Sequence, residues 1–145
     1  MKILKSRKAL SPVVASIILI AVTVAVSIAV AAWMGALTFT FTQTEELAIT
    51  AMTFSGTSGS ANNTIVLTVK NTGTSAVTVS AVYINDASKS FTTSGSFTSS
   101  NQLAAGASGT ITVYMGSGYW STGNKYRVVI QSSTGKNVAS YEKVA

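Results

Sequence analysis

The segment Ala9–Thr44, ALSPVVASIILIAVTVAVSIAVAAWMGALTFTFTQT, contains no charged residue and decides the architecture of this chain. A bilayer core accommodates about 20 apolar helical residues. Residues 12–33 would extend roughly 33 Å as a helix, so a membrane is already crossed at Trp33. Residues 34–44 would then lie beyond the bilayer, where exposed apolar surface is unfavourable. We therefore expect another protein surface to cover residues 34–44.

Two features predict where this helix begins and ends. Ser11 can cap free amides and Pro12 suits the first helical position, so we expect the helix to start there. Near the other end, residues 38–42 alternate Thr and Phe, which is compatible with a strand or with continued helix. We favour helix to about Glu45, because neighbouring copies of the helix would cover this segment.

Small residues recur along the predicted helix at a spacing that brings them onto neighbouring ridges. A small-xxx-small pattern allows helix backbones to approach closely, although alanine is also common in any helix. We favour helix–helix packing over that alternative. The residues concerned are Ala21, Ala25, Ala29, Ala32 and Ala36.

The remainder of the chain predicts an antiparallel β-sandwich of the immunoglobulin-like kind, which makes the whole chain α+β. From residue 50 to 145, 32 of 96 residues are Ser or Thr, so this part is polar but poor in charge. Six or seven strands are expected, and their sparse charge predicts strand edges that need protection. The predicted inward-facing rows are Ile65, Leu67 and Val69; Val77, Val79, Ala81 and Tyr83; Ile111, Val113 and Met115; and Tyr126, Val128 and Ile130.

Composition excludes most catalytic chemistry. Histidine and cysteine are absent, so thiol and imidazole nucleophiles, Cys/His metal sites and Ser-His-Asp arrangements are not available. We expect no enzyme activity, no metal and no cofactor. The net charge of +6 is concentrated ahead of the apolar segment, in Lys2, Lys5, Arg7 and Lys8. This placement indicates a cytoplasmic amino terminus rather than nucleic-acid binding.

The sequence Arg7-Lys-Ala-Leu-Ser-Pro-Val-Val14, followed by a long apolar helix, resembles the class III signal of archaeal type IV pilins. The resemblance implies a basic leader, residues 1–9, that a prepilin peptidase removes between Ala9 and Leu10 after recognising Lys8 and Ala9; cleavage after Lys8 is the alternative. It further implies a hydrophobic helix over residues 10–46 and an outer domain over residues 47–145. Bacterial pilins carry glutamate at the fifth mature position, which is Val14 here, so an amine–glutamate pairing is not available.

Several surface positions of the outer domain are candidates for modification or contact. Asn62 heads an Asn-Asn-Thr acceptor pattern for N-glycosylation. The loop 116–120 carries an aromatic pair, which either caps the core or contacts a surface or sugar, and capping is the commoner outcome. Candidate O-glycosylation positions, equally compatible with polar turns, are Thr92, Thr93, Ser94, Thr98, Ser99 and Ser100.

The leading functional hypothesis is a pilin that polymerises through its helix into an extracellular type IV pilus for adhesion. Its expected partners are copies of itself, the prepilin peptidase, the pilus assembly machinery and, for the precursor, the membrane. An archaellin of a motility filament and a single-pass surface-binding protein are the alternatives. The single-pass alternative leaves residues 34–44 without a covering surface.

Overall fold

The computed structural model describes residues 7–41, 43–61, 63–116 and 118–145, and side chains are not described at residues 7–10 and 39–41. The chain divides into two compact units, residues 1–42 and 43–145. In the described part of the first unit, helix α1 spans Arg7–Phe41. The second unit is an antiparallel β-sandwich. An α+β fold with an N-terminal apolar helix is therefore confirmed.

Helix α1 differs from the sequence prediction at both ends. It begins at Arg7, whereas Ser11 and Pro12 were expected to begin it, so Pro12 lies inside the helix. Proline at this position removes one backbone hydrogen bond, to the carbonyl four residues earlier, but the preceding residues are good helix formers. At the other end the Thr/Phe segment is helical to Phe41 rather than a strand. Residues 43–46 form neither helix nor strand, so the helix stops short of Glu45.

Eight strands occur in the described part of the second unit, one more than the upper expectation. Hydrogen-bonded neighbours follow the order β1-β2-β6-β4-β3-β7-β8, with the short β5 beside β3. The strands are β1 (Leu47–Ser55), β2 (Thr64–Asn71), β3 (Val77–Ile84), β4 (Ala87–Gly95), β5 (Gln102–Leu103), β6 (Ser108–Tyr114), β7 (Lys125–Ser132) and β8 (Asn137–Val144).

This connectivity is that of an immunoglobulin constant-type sandwich. Strands β1, β2, β6 and β4 form one sheet and correspond to A, B, E and D, while β3, β7 and β8 form the other and correspond to C, F and G. Strand β4 joins the two sheets, because residues 87–89 pair with β3 and residues 90–95 pair with β6. The core lies between the sheets and contains the expected rows of β2, β6 and β7, all of them buried.

The predicted inward row of β3 is half wrong, and a β-bulge is the reason. Val79 pairs with Ser132 and Ala81 with Gln131, which leaves Ser80 as an extra residue. Because one inserted residue exchanges the two faces of a strand, the buried residues after the bulge are Val82 and Ile84 rather than Ala81 and Tyr83.

The two outermost strands in the described sheet order, β1 and β8, are protected by local irregularity. Strand β1 has an extra residue at Thr50 and β8 has one at Val138, and bulges discourage pairing with another edge. The Lys143 Nζ also donates a hydrogen bond to the Met52 carbonyl at 2.7 Å, which joins β8 to β1. The bulges and this hydrogen bond therefore protect the edge strands, although the sparse charge of the domain predicts edges without such protection.

Candidate functional site

The surface of helix α1 is the first candidate for a functional site. Its segment Ser11–Thr38 is long and apolar enough to cross a membrane. The large apolar side chains from Val13 to Met34 are 47–66% exposed. At 1.5 Å per residue, these 28 residues extend about 42 Å, compared with a bilayer core of about 30 Å. The exposed apolar surface is therefore longer than a perpendicular membrane span requires.

The five alanines singled out from the sequence share one face of this helix. At about 100° per residue, they fall within an arc of roughly 80°. The helical backbone is continuous through all of them, so the stripe is unbroken over four turns. We call this face the alanine stripe, and its members are Ala21, Ala25, Ala29, Ala32 and Ala36.

A second stripe, of hydroxyl residues, lies on the opposite face. Ser16, Thr23, Ser27 and Thr38 fall within an arc of about 60°, centred almost opposite the alanine stripe. Each hydroxyl donates to a carbonyl of the preceding turn at 2.7–2.9 Å. Because these donors are satisfied within the helix, the stripe can enter a water-poor environment at little cost. The sequence analysis did not identify this stripe, although angular spacing alone places its members together.

The aromatic residues of loop 116–120 have separate roles. The Trp120 side chain is 7% exposed and packs against Phe54, with ring centroids 5.4 Å apart. Its indole N–H donates to the Ser55 carbonyl at 3.2 Å. Tyr119 is 51% exposed. The pair is therefore divided: Trp120 caps the core, and Tyr119 faces solvent.

Beside Trp120, Tyr126 closes the end of the core in the manner of a tyrosine corner. It lies at the start of β7, and its hydroxyl accepts a hydrogen bond from the Ser121 amide at 2.8 Å. The same ring packs against Phe54 at 5.6 Å. Residues 120 and 121 of loop 116–124 are thereby held against the sandwich.

Comparisons with known proteins give no family assignment. No family model matches this chain, and no curated protein matches it. Among solved structures, it is similar to the archaellum periplasmic stator protein FlaG from Sulfolobus acidocaldarius, at 23% identity and a TM-score of 0.48, over 69% of this chain and 100% of that one. It is also similar to the complex of FlaF and FlaG from the same organism, at 23% identity and a TM-score of 0.47, over 68% of this chain and 88% of that one. Neither likeness is close enough to transfer a function.

The residues of the expected leader cleavage lie at the start of helix α1. Lys8, Ala9 and Leu10 have helical backbone, and their side chains are outside the described part. Residues 1–6, and with them most of the expected leader, also lie outside it.

The candidate glycosylation positions differ in accessibility. Asn62 is outside the described residues, and its neighbour Asn63 is buried and donates to the Thr57 carbonyl at 2.7 Å. Residues 92–94 belong to strand β4 rather than to a turn. Thr93 is half-buried and donates to the Asn101 side chain at 2.7 Å. The exposed hydroxyl positions are Thr92, Ser94, Thr98, Ser99 and Ser100.

The ion pairs of the described residues lie on the sheet formed by β3, β7 and β8 or in the turn that follows β3. Arg127 pairs with Asp86, and Lys125 pairs with Glu142. The Lys125 ammonium, by hydrogen bonding and by its charge, lowers the pKa of the exposed Glu142 carboxyl. The outward rows of the other sheet are mostly hydroxyls, with Thr112 between Thr92 and Val66. The two outer faces of the sandwich are therefore chemically different.

Proposed function

We propose that this chain is a pilin-type subunit that polymerises through helix α1 into an extracellular filament, with the β-sandwich as its outer domain. In this proposal a prepilin peptidase removes residues 1–9 from a membrane-inserted precursor, and the assembly machinery then extracts the helix from the bilayer. Surface adhesion is the proposed role of the filament, and glycans on the outer domain would contribute to its protection.

One observation carries the proposal: residues 11–38 of helix α1 are predominantly apolar, and none of them is buried, over about 42 Å. A single-pass anchor uses only about 30 Å of such surface unless it tilts. In a bundle of identical helices the whole length is covered, because each copy buries the same residues of its neighbours. Burial of 1,000 Å² of this surface, compared with exposure to water, would contribute on the order of 25 kcal/mol before the entropic cost of association.

The two stripes of the helix support packing against further copies. The alanine stripe allows close approach of a second backbone. On the opposite face, the hydroxyl groups are already bonded to their own helix, so neither face presents an unpaired donor to a neighbour. Both faces can therefore be buried at once. The core of a filament requires this, whereas a contact between two helices buries only one face of each.

The test is to isolate sheared surface filaments from cells and to determine their N-terminal sequence and intact mass. The proposal expects this chain as a major component, beginning at Leu10, and a mass that reports any glycan. Cells in which the gene is deleted should lack these filaments but should still swim. Loss of swimming would indicate an archaellin instead.

The result that overturns the proposal is a chain that remains in the membrane fraction as a monomer with residues 1–9 intact. Such a protein would be a single-pass surface protein. A membrane extract analysed by N-terminal sequencing and by size in detergent distinguishes this outcome from a filament.

A further inference from the structure

Hydrogen bonds to the sandwich hold the residues that lead into strand β1. Residues 44–46, here called the connector, contain no regular structure, yet all three are bonded to the sandwich: Thr44 and Glu46 to one turn, and Glu45 to another. We propose that the connector and its partners form a clamp that transmits a pulling force on the helix to both sheets of the outer domain. That the helix is pulled follows from the proposed function, in which it is part of a filament. The hydrogen-bonded clamp does not depend on that proposal.

Thr44 is bonded through both of its backbone groups to the turn between β2 and β3. Its amide donates to the Thr74 hydroxyl oxygen at 2.9 Å, and its carbonyl accepts from the Thr74 amide at 3.0 Å. The same carbonyl accepts from the Ser75 hydroxyl at 3.2 Å and, more weakly, from the Ser75 amide at 3.4 Å. Displacing Thr44 therefore requires several hydrogen bonds to break together.

Glu45 is bonded to the turn between β7 and β8 through its side chain. One carboxylate oxygen, Oε2, accepts hydrogen bonds from the Ser132 and Thr134 hydroxyls, both at 2.8 Å. Hydrogen bonds to an ionised acceptor are stronger than those between neutral groups. Ser132 is 2% exposed, so its end of the contact is protected from water.

Glu46 is bonded through its carbonyl to the same turn as Thr44. It accepts from the Thr72 amide at 3.1 Å and from the Gly73 amide at 3.3 Å. Gly73 lies so close to the connector that a Cβ would overlap the Thr44 carbonyl oxygen and approach the Glu46 amide nitrogen at 2.9 Å. The absence of a side chain at residue 73 is thus what allows the connector to lie against the turn.

The two turns belong to different parts of the sandwich, and this gives the clamp its mechanical meaning. Residues 72–76 join β2 of one sheet to β3 of the other, while residues 133–136 join β7 to β8. A force that arrives at Thr44 is therefore shared by both sheets before it reaches β1, an outermost strand of the sheet order. Without the clamp, the same force would enter the sandwich through β1 alone.

The clamp is tested by amide hydrogen exchange on the full chain in detergent micelles, followed by peptide mass spectrometry. In the wild type, the amides that donate across the contact, those of Thr44, Thr72 and Thr74, should exchange slowly. In Gly73→Ala they should exchange about tenfold faster or more, because the connector is displaced, while peptides from β6 and β7 keep their protection. Gly118→Ala is the matched control: its φ is not left-handed, and the nearest atom to its Cβ would be the flexible Lys89 Nζ at 3.3 Å.

A second variant, Glu45→Ala, removes the carboxylate contact without introducing a clash, and it carries the test if Gly73→Ala does not fold. Unprotected wild-type amides at Thr44, Thr72 and Thr74, or unchanged exchange in both variants, would overturn the clamp. The role in carrying force has its own readout in electron micrographs, where Glu45→Ala filaments should show a shorter persistence length. If the amides exchange faster in Glu45→Ala but the filaments keep their stiffness, the clamp stands and its role in carrying force is refuted. If the wild type forms no filaments, the proposed function is refuted and the clamp is not.

Discussion

Asn71 offers a direct test of how the outer domain is held together, because its fully buried side chain bonds three separate backbone groups. The amide nitrogen Nδ2 donates to the Ser75 carbonyl at 2.8 Å and to the Leu103 carbonyl at 3.0 Å, and Oδ1 accepts from the Gly73 amide at 3.0 Å. Asn71→Ala leaves all three groups without this partner. At about 1 kcal/mol for each lost hydrogen bond, we expect a destabilisation of about 3 kcal/mol.

This loss is measured by thermal unfolding of the full-length chain in detergent micelles, followed by circular dichroism. For a domain of this size, 1 kcal/mol corresponds to roughly 4 °C or more, so the melting temperature should fall by about 12 °C or more. Asn137→Ala is the matched control: its side chain is exposed, and its effect should stay below about 0.5 kcal/mol. Asn71→Asp tests the donors separately, since it keeps an acceptor for Gly73 but places a carboxylate against two carbonyls.

A melting temperature for Asn71→Ala within the range of the Asn137→Ala control would refute this reasoning. It would show that water replaces the lost contacts, and hence that the turn holding the connector does not depend on Asn71. Hydrogen exchange tests for such replacement by water. In that case the amides of the turn lose their protection while the amides of the core keep theirs.

Three further predictions concern the helix, the tyrosine corner and a surface ion pair. Ala25→Lys should leave the sandwich folded but abolish filaments, since burying an unpaired charge in the alanine stripe costs several kcal/mol. Ala25→Ser is the control. Normal Ala25→Lys filaments in electron micrographs would contradict packing of helices through the alanine stripe. Tyr126→Phe should destabilise the sandwich by about 1–2 kcal/mol in thermal unfolding, because the Ser121 amide loses its acceptor, and a wild-type melting temperature would count against it. Because Lys125 lowers the pKa of Glu142, the ion pair stabilises the fold above the ordinary carboxyl pKa and ceases to do so as the pH falls through the lowered pKa. The small difference in melting temperature between the wild type and Glu142→Gln should therefore be present at pH 7 and absent in strong acid. A difference that grows toward low pH would contradict this direction of the pKa shift.

The parts of the fold that sequence alone predicted are those in which one face of a strand is consistently apolar. Every inward position of strand β2 before Asn71 is a large apolar residue, and Ile65, Leu67 and Val69 are fully buried. Strand β4 escaped prediction because its outward positions are Ser and Thr and Phe91 is its single large apolar residue. A signal for it was present in Asn85-Asp86, both at positive φ, which form a two-residue turn between Ile84 and Ala87.

Other features depend on contacts between residues that are distant in sequence, and local patterns do not encode them. The bulge at Ser80 reverses the faces of β3 without any glycine or proline to mark it. Glu45 meets Ser132 across 87 residues of chain. In the sequence, Glu45 and Glu46 are an adjacent acidic pair, and no local pattern indicates their hydrogen-bond partners. The connector clamp therefore becomes visible only once the two turns have been placed by the fold.

The two units of this chain make opposite demands on their surroundings. Within the described sandwich, no buried side-chain nitrogen or oxygen lacks a hydrogen-bond partner, and the core is complete without residues of the helix. In helix α1, by contrast, no residue of the segment Ser11–Thr38 is buried, and its exposed apolar side chains favour a water-poor environment. Transfer of the helix from lipid to a protein environment would consequently leave the outer domain folded, which is the property that a subunit needs if it is to move from a membrane into a filament.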